Sequence, residues 1–116
     1  MSENSPVNSS KLLVVLCSLP NMESAKPLAR SLVEQNLAAC VQITEGVHSI
    51  YRWEGKICEE REVLLSAKTT QVKWVEISAF IKNAHPYDLP EVLAFSPNHY
   101  EERYGKWVDS EVNSKS

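Results

Sequence analysis

Residues 47–56 read Val47-His48-Ser49-Ile50-Tyr51-Arg52-Trp53-Glu54-Gly55-Lys56, and this stretch decides the fold. Val47, Ser49, Tyr51 and Trp53 share one face of an extended strand, and His48, Ile50 and Arg52 share the other. Glu54-Gly55 reads as a two-residue hairpin turn, weaker than Asn-Gly. The return strand begins at Lys56. Its middle, Glu59-Glu60-Arg61-Glu62, is strongly polar, turns apolar at Val63-Leu64-Leu65 and ends near Lys68. Such a hairpin projects beyond the core of a 116-residue chain. Its edges need partners, which other subunits would supply.

Upstream, Cys40-Val41-Gln42-Ile43 opens the same extended segment, and Gly46 interrupts it as a bulge or bend would. The apolar run KLLVVLCS at 11–18 reads as a strand buried on both faces. Between them Ala25, Leu28, Ala29, Leu32 and Asn36 recur at helical steps. The helix starts either at Asn21, leaving Pro27 deep enough to cost the bond to the Glu23 carbonyl, or at Ser24, with Pro27 in the first turn. Downstream, Thr69 or Thr70 is expected to cap a second helix. Trp74, Ile77, Phe80, Ile81 and Ala84 form its buried face, and His85-Pro86 ends it. Glu91–Phe95 is a last short strand, and Tyr104 and Trp107 mark a short C-terminal helix. The order β-α-β-β-α-β is α+β: a four-stranded antiparallel sheet with two helices on one face. Residues 1–10 read as a disordered leader, 11–110 as one domain and 111–116 as a frayed tail.

Twelve basic against fifteen acidic residues give a net charge of −3. With no basic stripe, nucleic acid is not an expected partner. No apolar run approaches a membrane span. The N-terminus lacks the pattern of a signal peptide. Three cysteines, an odd number, read as reduced thiols in the cytosol.

The segment His85-Pro86-Tyr87-Asp88-Leu89-Pro90-Glu91 is the richest in chemistry. Two prolines fix a bent, extended course. An imidazole at that corner suits a ligand, a hydrogen-bond anchor or a plain helix stop. Taken with Leu37-Ala38-Ala39-Cys40, Ser49–Lys56 and Glu62-Val63-Leu64-Leu65 running into Lys68-Thr69, this segment resembles the CutA family of divalent-cation tolerance proteins. The resemblance covers roughly 11–109. It implies a ferredoxin-like fold, a homotrimer built by edge pairing of the hairpins, a cytoplasmic location and a link to copper. By position, the family's copper ligands would be Cys17 and His85. A second histidine of the family is Ala84 here, so copper binding is expected to be weak. A third ligand would come from His99, Cys40, a neighbouring subunit or water. Pro97 is displaced by one position, and Tyr100 stands where relatives often have glycine, so the last loop is expected to differ in shape.

Each candidate has a plainer reading. Cys17 is a metal ligand or a small buried residue at a strand end. Cys40 reads as packing and Cys58 as incidental. His48 and His99 read as surface residues. Tyr51, Trp53, Glu62 and Lys68 line an inter-subunit pocket, or else form a cross-strand aromatic pair and a salt bridge. No organic cofactor is expected, and no nucleophile has a recognisable base beside it, so an enzyme is disfavoured. The architecture also looks similar to PII-type signalling trimers, which leaves open a sensor binding a small ligand between subunits; a stable scaffold for a protein partner is a third reading.

Overall fold

The computed structural model describes residues 11–113. The elements are β1 (Leu12–Leu19), α1 (Met22–Glu34), β2 (Cys40–Trp53), β3 (Lys56–Thr70), α2 (Trp74–Ala84), β4 (Val92–Phe95) and α3 (Glu102–Val112). The strands form one antiparallel sheet in the order β2-β3-β1-β4. This is the expected α+β, ferredoxin-like arrangement. The expected leader, 1–10, lies outside the described residues.

Alternation along the strands builds the core. Leu13, Val15, Cys17 and Leu19 of β1 and Val63, Leu65 and Ala67 of β3 point to one face. There they meet Ala25, Leu28 and Leu32 of α1 and Ile77 and Ile81 of α2. Each large side chain buried this way contributes about 1.5–3 kcal/mol. Asn21 is the cap of α1, its Oδ1 accepting from the Ser24 amide at 2.9 Å. Pro27 therefore lies inside the helix.

The opposite face is covered in part. Leu12, Val14, Val108 and Val112 are buried outside the main core, where α3 packs on β3 and β1. Tyr100 lies against Gly105 so closely that a Cβ there would collide with its ring. Further along this face Leu93 and Phe95 remain 44% and 49% exposed.

The hairpin makes the molecule elongated, 51 × 30 × 25 Å. A bulge falls between Thr44 and Val47, with Gly46 at φ 76°. Beyond it Val47 pairs with Glu62, Ser49 with Glu60, Tyr51 with Cys58 and Trp53 with Lys56. The turn holds Glu54 at φ 51° and Gly55 at φ 81°, the conformation of a two-residue hairpin loop with both central residues left-handed. A glutamate is strained there, whereas asparagine adopts it readily. Glu54→Asn should raise stability by about 0.5–1 kcal/mol, read as a higher denaturant midpoint with unchanged slope.

Three expectations are corrected. Neither Thr69 nor Thr70 caps α2. Both belong to β3, held by pairing with Leu13 and Leu12, and among the described residues both buried hydroxyls have no partner. A 3₁₀ turn at Gln71–Lys73 leads into α2 instead. Trp74 and Ala84 sit at the two ends of α2 and are exposed, while Ile77 and Ile81 carry its buried face. The tail is not frayed at its start, since α3 runs through Val112, which is 1% exposed.

Candidate functional site

Where the hairpin leaves the sheet, residues 86–91 fold back toward it and enclose a cleft of about 710 Å³. Ser49, Tyr51, Trp53, Glu60 and Glu62 line it from the hairpin. Tyr87, Asp88, Leu89 and Glu91 line it from the returning segment, and Ser18 closes it from the end of β1. Pairing explains the hairpin wall. After the bulge, the odd residues of β2 share a face with the even residues of β3.

His85 holds the returning segment in place. It is 8% exposed. Its Nε2 donates to the Ser18 carbonyl at 2.7 Å, and its Nδ1 accepts from the Tyr87 amide at 3.0 Å. A carbonyl can only accept and an amide can only donate, so the partners dictate the neutral tautomer with the proton on Nε2. Of the roles open to this imidazole, the geometry shows the hydrogen-bond anchor. It bridges β1 and the loop across 67 positions of sequence.

Hydroxyls hold the carboxylates. The Tyr87 hydroxyl donates to Glu62 Oε2 at 2.8 Å, and the Ser18 hydroxyl donates to Glu91 Oε1 at 3.3 Å. A hydrogen bond to Glu60 pushes the Tyr51 phenol up to about 12. Burial, and then the bond to Glu62, push the Tyr87 phenol higher still. Both phenols therefore stay protonated and donate at neutral pH. Among the described residues no lysine, arginine or histidine lines the cleft, whose acids are Glu60, Glu62, Asp88 and Glu91.

Cys17 packs behind this wall. It is 0% exposed, and its Sγ faces the Ser18 carbonyl at 3.7 Å, the same oxygen that His85 meets. Burial first, then Glu91 and Glu62, push its thiol up to about 12. The thiol is protonated at neutral pH and both imidazole nitrogens are engaged, so this pair does not fit an open metal site within one chain. His99 and His48 lie exposed, and Cys40 and Cys58 half-buried. Among the described residues, no three His, Cys, Asp or Glu side chains converge to hold one metal ion.

Of the four residues expected to line an inter-subunit pocket, Tyr51, Trp53 and Glu62 meet at this cleft of the single chain and Lys68 does not. Lys68 lies six residues further along β3, and its Nζ donates to Gln42 Oε1 at 2.8 Å. Sequence reasoning missed Ser18, Glu60, Asp88 and Glu91. Glu60 carried a usable signal, because it shares strand parity with Glu62.

Residues 13–111 match the family model described as CutA1 divalent ion tolerance protein. The divalent-cation tolerance protein CutA of Thermus thermophilus is 41% identical over 95 residues, covering 82% of this chain and 92% of the relative. Protein CutA, chloroplastic, of Arabidopsis thaliana is 37% identical over 102 residues. That alignment covers 88% of this chain and 56% of the relative. The crystal structure of CutA from Xylella fastidiosa is similar at a TM-score of 0.85 and 33% identity, covering 88% of this chain and 98% of that one.

Proposed function

The chain belongs to the CutA1 family of divalent ion tolerance proteins, and from that premise we propose that it is a non-enzymatic homotrimer that binds divalent cations weakly. The observation that carries this reading is the cleft: four acids around one cavity with, among the described residues, no basic side chain in its lining. Their combined field concentrates cations. Because the acids do not converge on a point, a bound ion keeps most of its water, which limits affinity. Copper at Cys17 and His85 is weaker still. It must displace a proton from a thiol held near 12 and break the bond from His85 to Ser18.

Assembly is supported by what the single chain leaves uncovered. Leu93 and Phe95 stand out on the open sheet face, and Ile50, Trp53 and Ile57 on the hairpin. β2 is an edge strand of 14 residues with one side unpaired, a length that proteins ordinarily cover. Three free cysteines favour a reducing compartment such as the cytoplasm. No helix among the described residues is long and apolar enough to cross a membrane.

Titration of the purified protein with Mn²⁺, Zn²⁺ and Cu²⁺ tests the reading. Glu62→Gln should weaken Mn²⁺ and Zn²⁺ about fivefold or more. At pH 7 Cys17→Ser should change copper affinity less than twofold, because the thiol is protonated there. Ala84→His should tighten copper if the family's geometry is kept. Equal affinities in all variants would remove the cleft as the cation site and move the small-ligand sensor to first place.

A further inference from the structure

We draw no further inference here: the strongest candidate, the exposed apolar patch that Val72 and Val75 form where the 3₁₀ turn at Gln71–Lys73 runs into α2, is an unpartnered face, and nothing in the structure shows what covers it.

Discussion

His85→Ala should cost about 2–4 kcal/mol and release the loop that walls the cleft. Two groups lose their partner at once: the Ser18 carbonyl and the Tyr87 amide. Each buried polar group left unsatisfied costs about 1–3 kcal/mol. The imidazole ties β1 to the residue after Pro86, so its loss frees the backbone that presents Tyr87 to Glu62. The expected record is a lowered denaturant midpoint and fast hydrogen exchange at the Tyr87 amide. Metal-free protein is the material to use. If the metal-free variant is as stable as the wild type and copper stabilises the wild type alone, His85 is a ligand and not an anchor.

Leu93→Asp should break the proposed trimer. Leu93 lies opposite Leu16 on the open face of the sheet, beside Phe95, and is 44% exposed in the single chain. Covering it in an assembly contributes about 1.5–3 kcal/mol per chain, and a carboxylate there adds a desolvation cost. Three copies change together, so the trimer should weaken roughly a thousandfold or more. Sedimentation at micromolar concentration should give one species of three chains for the wild type and a monomer for the variant, with a much lower melting temperature. Tyr51→Asp tests the hairpin contribution in the same way. A Leu93→Asp protein that sediments like the wild type would place the interface elsewhere.

The architecture was legible because it rests on local periodicities. Alternation at 47–53, the turn at Glu54-Gly55 and helical spacing after Asn21 each specify one element, and four strands in that order close only a few ways. The sequence was least legible where distance or partners decide. Lys68 shares strand parity with Glu62, but six residues of strand, about 20 Å, separate the two within one chain, so a pocket holding both needs a neighbouring subunit. Thr69 and Thr70 carry the composition of a cap, but cross-strand pairing to Leu13 and Leu12 keeps them in β3. His85 was placed at a chain corner with several roles open. Its partner, the Ser18 carbonyl, is a backbone atom far away in sequence and has no side-chain signature. The buried carboxylate at 62 lay in a run, Glu59-Glu60-Arg61-Glu62, that composition alone reads as a solvated surface.

The extra residue between Thr44 and Val47 works like a shift of reading frame. Before it, the even positions of β2 face away from the helices. After it, the odd positions do. One strand thereby carries two messages in different phases: Val41 and Ile43 written for the core, Ser49, Tyr51 and Trp53 written for the cleft. Losing one residue at 45–46 would regularise the ladder and leave both messages readable. Losing one just after Val47 would turn every later side chain of β2 over, presenting Ile50 and Arg52 where Ser49 and Tyr51 now stand. Length variation among relatives should therefore be tolerated at the bulge and excluded from the seven positions that follow it.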